Sequence, residues 1–322
     1  MTHSIAISDM LLRKYITRLM EILAKEYPND SSISGWYEML ELGRQLNGEE
    51  QETKPAAAKM IPELSKEAPP DICVYSENDG PKVVFVHTGN TGSSAYYRLA
   101  DKIADRVSFA VIEPYNLYHP ETAVYGIRNI AANYIRILKA YQPEGPYILG
   151  GWCYGGVVAH EMACQLRESG EEVRHLFMLD SHALGNQRLR ELSKGMLSEL
   201  NAEYFETCPL FAELRESGML TAMVNNAAHV SEDLYHHTPS VYHGSVTYFK
   251  PDQVPVGVTG DNLRYWNDMM KYEAGNFENY CDTDKLLVIH TPHEHDLMMD
   301  DDSLAIIVPQ FFKSLGMAPN AD

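Results

Sequence analysis

From residue 71 onward, short apolar strands alternate with helices, and this alternation limits the possible folds more than any other feature. The strand segments read "KVVFVHTG", "SFAVIEPY", "PYILGGW" and "VRHLFMLD", and a helical segment follows each of the first three. Their apolar runs are continuous rather than of period two, as expected of strands covered on both faces. The pattern therefore predicts an α/β domain with a mostly parallel sheet between two layers of helices.

The alternation is interrupted after the fourth strand segment. Residues from about 184 to 243 read as consecutive helices. Strand signals return at "GSVTYFKP" and "KLLVIHTP", and a last helix is predicted through "SLAIIVPQFFKSL". A helical insertion between strands of an α/β domain commonly covers the active site. We therefore expect a helical lid at about 184–243 within a domain of residues 71–322.

Residues 1–70 differ in character from this domain. The spacing of apolar residues from 8 to 27 predicts one helix, and "GWYEMLELGRQL" predicts a second. Residues 48–70 are rich in Glu, Lys, Ala and Pro, as a linker would be. We interpret residues 1–70 as a small helical appendage and linker for docking or packing, not as a carrier domain.

The net charge limits the possible binding partners, and the cysteine content indicates the cellular compartment. A formal net charge of −19 argues against nucleic acid and anionic membranes as partners, because both would repel the chain. No apolar segment has the length of a membrane span, and the opening residues do not form a signal peptide. The five cysteines are widely spaced and form no C-x-x-C pair. This usage fits a reducing compartment, so we predict a cytoplasmic protein.

A glycine-rich turn after the third strand segment carries a cysteine. Gly151-Trp152-Cys153-Tyr154-Gly155 has the pattern G-x-nucleophile-x-G directly between a strand and a helix. Such an elbow is a tight, strained turn that needs small flanking residues and lifts the nucleophile above the sheet edge. The alternative is a buried structural cysteine, which the strand–elbow–helix context and the further Gly156 disfavour. We predict that Cys153 is a nucleophile.

An elbow nucleophile is followed along the chain by an acid and then by a histidine. Asp180 ends the next strand and would emerge on the same carboxyl edge as the nucleophile, whereas Asp252 follows one strand later and is its rival. The segment "VIHTPHEHDLMM" offers three candidate bases, which are His290, His293 and His295. We favour Asp180 and His295, because His295 lies on a loop just before the last helix. A metal site at these histidines and Glu294 is the alternative, but no second ligand group stands out.

An acyl-transfer site also needs hydrogen-bond donors for the oxyanion. The backbone N–H of Tyr154, the residue after the candidate nucleophile, is predicted as one donor. The second is expected from the loop "VHTGNTG" after the first core strand, because glycine lets backbone amides approach a ligand closely. We assign the second donor to Gly89, with Thr88 as the alternative.

Together these motifs resemble the α/β-hydrolase thioesterases of polyketide and nonribosomal peptide assembly lines, from about residue 71 to the C-terminus. "GWCYGG" is similar to the G-W-S-x-G-G elbow of that family, and "AHEMACQL" to the helix after it. Asp180 in "LDS" matches the acid of the family. His295 in "HEHDLMM" matches the histidine of its C-terminal G-x-H-x-x-M-L motif. Two departures stand out: cysteine replaces the usual serine, and "TGN" replaces Pro-x-Gly in the oxyanion loop.

The resemblance implies an α/β-hydrolase fold and an enzyme with a Cys-His-Asp triad. It implies an acyl or peptidyl carrier protein as partner, with the substrate on the phosphopantetheine of that carrier, so no cofactor of the chain's own is expected. An acyl or peptidyl chain would move to Cys153 and leave by cyclisation, transfer to a nucleophile or hydrolysis. A thioester intermediate keeps the reactivity of the original linkage, which favours cyclisation or transfer. A free-standing editing hydrolase and a non-catalytic binding protein of this fold are the alternatives.

Docking of such a carrier raises an electrostatic problem, because carriers are usually acidic and this chain is acidic too. A local positive patch is then needed to overcome the global repulsion. Arg188, Arg190 and Lys194 open the helical insertion and are close in sequence to Asp180. We expect them to form that patch, with a solvated helix face as the alternative.

Overall fold

The computed structural model describes residues 71–89, 92–198, 219–255, 258 and 260–318. By backbone contacts the chain divides into two compact units, one of residues 62–201 and 221–322 and one of residues 1–61 and 202–220. Almost all of the described residues belong to the first unit. The predicted appendage and linker at 1–70 lie outside the described residues, as does the middle of the predicted lid at 199–218.

A seven-stranded sheet forms the centre of the first unit. Its strands are β1 (Ile72–Val74), β2 (Lys82–Val86), β3 (Ser108–Ile112), β4 (Tyr147–Trp152), β5 (Val173–Leu179), β6 (Val246–Pro251) and β7 (Leu286–Thr291). Their spatial order is β1-β3-β2-β4-β5-β6-β7. All neighbouring strands are parallel except β1, which runs antiparallel to β3. The predicted α/β-hydrolase fold with a mostly parallel sheet is confirmed, whereas β1 is too short to give a signal in the sequence.

Helices cover both faces of the sheet. The α-helices within the described residues are α1 (Tyr97–Ile103), α2 (Tyr115–Tyr118), α3 (Ile127–Tyr141), α4 (Tyr154–Glu168), α5 (Gln187–Ser198), α6 (Met219–His236), α7 (Gly260–Met269) and α8 (Asp301–Ser314). Helices α3 and α4 contribute Leu138 and Val158 to the core on one face. Helices α1 and α8 contribute Leu99 and Phe311 to the core on the other face. Strands β3 and β4 are buried along their whole length, because both of their faces are covered.

The predicted helical insertion between β5 and β6 contains α5 and α6. Helix α5 packs through Leu189 against Tyr265 and Trp266 of α7. Helix α7 is absent from the sequence analysis, because its segment "GDNLRYWNDM" is mostly polar and begins with a glycine, Gly260, whose φ is +55°. Of the helices in the described ranges, not one combines the length and the apolar character needed to cross a bilayer.

The register of the sheet brings two chain turns together at its carboxyl edge. Trp152, the last residue of β4, pairs with Leu179, the last residue of the adjacent parallel strand β5. Cys153 and Asp180 therefore follow neighbouring strand ends. A short 3-10 helix at His295–Leu297, between β7 and α8, lies in the segment that returns toward this edge.

Candidate active site

Cys153 occupies a strained turn between β4 and α4. Its backbone has φ of 56° and ψ of −122°, a conformation that L-residues rarely adopt. The Cys153 N–H donates to the carbonyl of Leu179 at 2.9 Å, which ties the turn to β5. The residue stands at the N-cap position of α4, next to the positive end of the helix dipole.

The glycines around Cys153 are needed for close packing of the backbone. A Cβ added to Gly155 would lie 2.5 Å from the carbonyl oxygens of Val86 and His87 at the end of β2. A Cβ added to Gly156 would collide with the Ser181 hydroxyl after β5. Because β2 and β5 flank β4, any side chain at these two positions would push the helix away from the sheet. The G-x-C-x-G-G pattern is therefore a packing requirement of the elbow.

Asp180 and His295 meet at this elbow. Nδ1 of His295 lies 2.6 Å from Oδ2 of Asp180. The same imidazole is hydrogen-bonded to the side chain of Cys153. Because Nδ1 of His295 faces Asp180, Nε2 is the ring nitrogen that can contact the Cys153 sulfur. Asp180 is 3% exposed, while Cys153 is partly exposed. The structure thus brings together the three side chains that the sequence analysis predicts as nucleophile, base and acid, which are Cys153, His295 and Asp180.

The rival acid and the two other candidate histidines are engaged elsewhere. Nδ1 of His290 lies 2.6 Å from Oδ1 of Asp252, and both side chains are about half exposed. His293 lies 3.0 Å from Asp300 and not at the elbow. Across the described residues, no three His, Cys, Asp or Glu side chains converge as metal ligands.

The charges of the site favour an ionised histidine–carboxylate pair. Burial disfavours the charged imidazole, but the charge of Cys153 and the hydrogen bonds to Asp180 and Cys153 raise the pKa of His295 well above its usual value. Burial also disfavours the Asp180 carboxylate, but its charge and hydrogen-bond interactions with His182 and His295 lower its pKa below the usual range. A proton that leaves the Cys153 thiol is therefore well accepted by His295.

Two indole rings flank the His295 imidazole. The ring of Trp152 lies 5.5 Å from it and that of Trp266 lies 5.1 Å from it, measured between centroids. Aromatic faces near an imidazolium stabilise its positive charge and exclude water from the pair. Trp266 comes from α7, so the sequence analysis does not assign it to the site.

His182 and Tyr265 are two further polar side chains at the site that the sequence analysis does not assign. Nε2 of His182 lies 2.9 Å from Oδ1 of Asp180, and its Nδ1 lies 2.9 Å from the Tyr265 hydroxyl. His182 follows Asp180 by two residues, and this closeness in sequence is a usable signal. Tyr265 carries no such signal, because it belongs to α7.

Gly89 and Tyr154, the two residues predicted to supply the oxyanion donors, lie close together. Tyr154 opens α4, so its N–H is among those that lack a partner within the helix. A Cβ added to Gly89 would lie 3.8 Å from Cβ of Tyr154 and 3.4 Å from Val230 of α6. The Gly89 carbonyl accepts a hydrogen bond of 3.1 Å from Asn226, also on α6. The insertion therefore holds the loop that carries Gly89. The carbonyl of Thr88, the alternative donor residue, is bound by the His87 ring.

The basic residues at the start of the insertion make contacts of their own. Nε of Arg188 lies 2.6 Å from Oδ2 of Asp268 on α7, although the Arg188 side chain is 74% exposed. Arg190 donates to the Leu184 carbonyl at 2.8 Å and to the Thr238 hydroxyl at 2.8 Å. Arg190 thus joins the two ends of the insertion. The side chain of Lys194 lies outside the described part of the chain.

Comparisons with known proteins agree with the observed fold. The family model described as "Thioesterase domain" matches residues 81–265, which is more than half of the chain. The non-reducing polyketide synthase terA of Aspergillus terreus is 33% identical over 124 residues, covering 38% of this chain and 6% of the synthase. The polyketide synthase PksR of Bacillus subtilis is 33% identical over 129 residues, covering 38% of this chain and 5% of the synthase. The chain therefore matches only a small part of the length of these relatives.

Solved structures show the same fold. The NocB thioesterase domain from the nocardicin cluster matches at 24% identity and a TM-score of 0.54. This match covers 76% of the present chain and 98% of the NocB domain. Its covalent complex with a fluorophosphonate nocardicin G analogue matches at 26% identity and a TM-score of 0.54, covering 74% of this chain and 96% of its own. A four-domain nonribosomal peptide synthetase matches at 18% identity and a TM-score of 0.60, over 80% of this chain and 21% of its own.

Proposed function

Because this chain belongs to the thioesterase-domain family, we propose that it is an acyl-thioester-cleaving enzyme with Cys153 as nucleophile, His295 as base and Asp180 as the acid that orients the base. The single observation that carries the proposal is the contact of one imidazole with both partners. His295 is hydrogen-bonded to the Cys153 side chain and lies 2.6 Å from Asp180. A structural cysteine would not need a histidine–carboxylate pair aligned on its sulfur.

In the first step, the Cys153 sulfur attacks the carbonyl carbon of a thioester while His295 takes the thiol proton. The new C–S bond forms a tetrahedral intermediate whose oxyanion accepts hydrogen bonds from the N–H groups of Tyr154 and Gly89. The bond to the original sulfur then breaks, and His295 returns the proton to the leaving thiol. Asp180 keeps the imidazole in the required tautomer and stabilises its positive charge.

In the second step, a nucleophile attacks the acyl-Cys153 thioester and gives up its proton to His295, and the Cys153 sulfur leaves. Because a cysteine intermediate is a thioester like the substrate, it retains the reactivity of the original linkage. This chemistry supports an amine or hydroxyl nucleophile, by transfer or by ring closure, as well as water. We propose cyclising or transferring release over simple hydrolysis. Editing hydrolysis of misloaded carriers is the second candidate.

The substrate is proposed to be an acyl or peptidyl chain on the phosphopantetheine of a carrier protein. This rests on relatives named as polyketide synthases and on a neighbour named as a nonribosomal peptide synthetase. A thioester substrate releases a thiol, which fits the proposed return of a proton from His295 to the leaving sulfur. Helices α5 and α6 would form the lid, since Asn226 of α6 holds the loop with Gly89.

The test is intact-protein mass spectrometry after incubation with a panel of acyl N-acetylcysteamine thioesters. We expect a mass increase equal to the acyl group, mapped to Cys153 by peptide analysis. The Cys153→Ala variant should show no increase, and added amines should shorten the lifetime of the adduct if transfer is the natural outcome. An adduct at another residue, or turnover without Cys153, would refute the proposed nucleophile. Binding without any adduct or turnover would favour a non-catalytic binding protein.

A further inference from the structure

The Asp180 carboxylate is shared by two imidazoles. Oδ2 faces Nδ1 of His295 at 2.6 Å, and Oδ1 faces Nε2 of His182 at 2.9 Å. The His182 side chain is 12% exposed and that of His295 is 14% exposed, so the second contact is shielded from water as well as the first. Both oxygens of the buried carboxylate are thus engaged, and rotation of the carboxylate would break both contacts.

The His182 ring has a second polar neighbour. Nδ1 of His182 lies 2.9 Å from the hydroxyl of Tyr265. Nε2 faces the Asp180 carboxylate, which can only accept, so the proton on Nε2 is directed at Asp180. The ring is thus held by hydrogen bonds at both of its nitrogens.

Packing holds the His182 ring in this orientation. The Trp266 ring stands edge-on to it at 5.1 Å between centroids. A Cβ added to Gly275 would lie 3.0 Å from Cδ2 of His182, so the backbone of that loop closes the remaining side. The titratable groups that face the ring are Asp180, His295 and Tyr265. The ring is therefore buried among aromatic side chains and the charged pair.

We propose that His182, whose ring is held in place by the hydrogen bond of Nδ1 to Tyr265, is a positioning residue of the site. It donates to Oδ1 of Asp180, which fixes the carboxylate so that Oδ2 stays aligned on His295 and stabilises the imidazolium formed when Cys153 loses its proton. His182 does not touch the substrate and acts only through Asp180. This inference rests on the proposed function of Cys153, His295 and Asp180.

The experiment measures the rate at which iodoacetamide alkylates Cys153 as a function of pH, with the Cys153 peptide quantified by mass spectrometry. The probe needs no knowledge of the natural substrate, and the inflection reports formation of the thiolate. The full chain is compared with His182→Ala, His182→Gln and Tyr265→Phe. Glutamine can place its amide N–H near the position of Nε2, whereas alanine cannot. His290→Gln is the matched control, because it breaks an exposed histidine–aspartate pair outside the site.

For His182→Ala we expect the inflection to move to higher pH and the rate at neutral pH to fall about tenfold, as for loss of one hydrogen bond to a charged group. His182→Gln should recover most of the rate, and His290→Gln should match the wild type. Tyr265→Phe should shift the inflection in the same direction by less. In the His182→Ala background, Tyr265→Phe should add nothing, because the hydroxyl acts through His182. With an acyl thioester, kcat should fall while KM stays constant.

A His182→Ala or Tyr265→Phe inflection that coincides with the wild type overturns the proposal, as does a His182→Gln variant no better than alanine. A residue that only supports the fold would lower the thermal midpoint without moving the inflection. If His182→Ala does not fold, Tyr265→Phe and His182→Gln decide between the outcomes. Failure of the proposed function is a separate result, since wild-type Cys153 would then show no preferential alkylation.

Discussion

Nδ1 of His295 lies 2.6 Å from Oδ2 of Asp180, although 115 residues separate them in sequence. Asp180 follows β5 and His295 follows β7, and β6 lies between these strands. The loop after β7 therefore passes the end of β6 to reach Asp180. Asp252, the residue after β6, is hydrogen-bonded instead to His290 of the adjacent strand β7. The path of this loop, rather than the distance along the sheet, determines which aspartate pairs with His295.

Replacement of Cys153 by alanine should abolish both the acyl adduct and turnover, because it removes the sulfur to which His295 is hydrogen-bonded. Cys153→Ser should still be acylated but should lose transfer to amines relative to hydrolysis, since an oxygen ester is a poorer acyl donor. The measurement is intact mass over time with an acyl N-acetylcysteamine thioester. Cys164→Ala is the control, because burial raises the pKa of that thiol to about 12 and keeps it unreactive. Unchanged turnover of Cys153→Ala would exclude the proposed mechanism.

The variant Asp180→Asn should lower kcat by orders of magnitude, about 10⁴-fold in the serine-protease triad, because the amide carries no negative charge and can donate to Nδ1, which favours the wrong imidazole tautomer. The matched control is Asp252→Asn, which removes an exposed carboxylate from a second aspartate–histidine pair and should change kcat little. Steady-state kinetics and thermal unfolding of both variants make the comparison. If Asp252→Asn were the inactive variant, the assignment of the acid would be wrong.

The stability contributed by the Asp180–His295 pair should depend on pH. The pKa of His295 is raised above 6.5, so its contribution is complete below pH 6.5 and is lost as the pH rises through the raised value. The pKa of Asp180 is lowered from 3.8, so its contribution is present above pH 3.8 and is lost as the pH falls through the lowered value. The free energy of unfolding of the wild type minus that of Asp180→Asn should therefore be largest between pH 3.8 and pH 6.5, where both contributions are present. Urea unfolding across the pH range measures it, and a difference that grows above pH 6.5 would contradict the assignment.

Arg190→Ala should destabilise the protein by about 1–3 kcal/mol, because the carbonyl of Leu184 and the hydroxyl of Thr238 lose their donor. Arg188→Ala should cost about 0–1 kcal/mol, since the Arg188 side chain is mostly exposed and its ion pair is screened by water. Urea unfolding of both variants at one pH provides the comparison. Equal losses would mean that Arg190 does not anchor the insertion.

Charge reversal at Arg188 tests the proposed carrier docking. Arg188→Glu should weaken turnover of a carrier-bound acyl chain, because an acidic carrier would meet one more negative charge near the active-site edge. The same variant should leave turnover of a small acyl N-acetylcysteamine thioester unchanged. Arg190 is unsuitable for this test, since it anchors the insertion. Equal loss on both substrates would instead indicate an effect on folding or catalysis, and no loss on either would indicate a solvated residue.

The sequence by itself determined the sheet, the elbow and the candidate nucleophile. These features rest on local physics: continuous apolar runs for strands buried on two faces, and glycines where a Cβ would collide with β2 or β5. Cys153 and Asp180 follow strands that are consecutive in sequence and adjacent in space, so the topology of parallel strands was enough to pair them. The order of acid and histidine along the chain then limited the base to one loop.

The tertiary structure alone decided which residues surround the Asp180–His295 pair. Neither Tyr265 nor Trp266 has an apolar pattern or a motif that marks it, and α7 reaches the site only because it packs against α5. The roles of Arg188 and Arg190 were likewise invisible in the sequence, where both are simply positive charges on a helix. Long-range contacts of this kind depend on how loops close and how helices pack, and no short stretch of sequence carries that information.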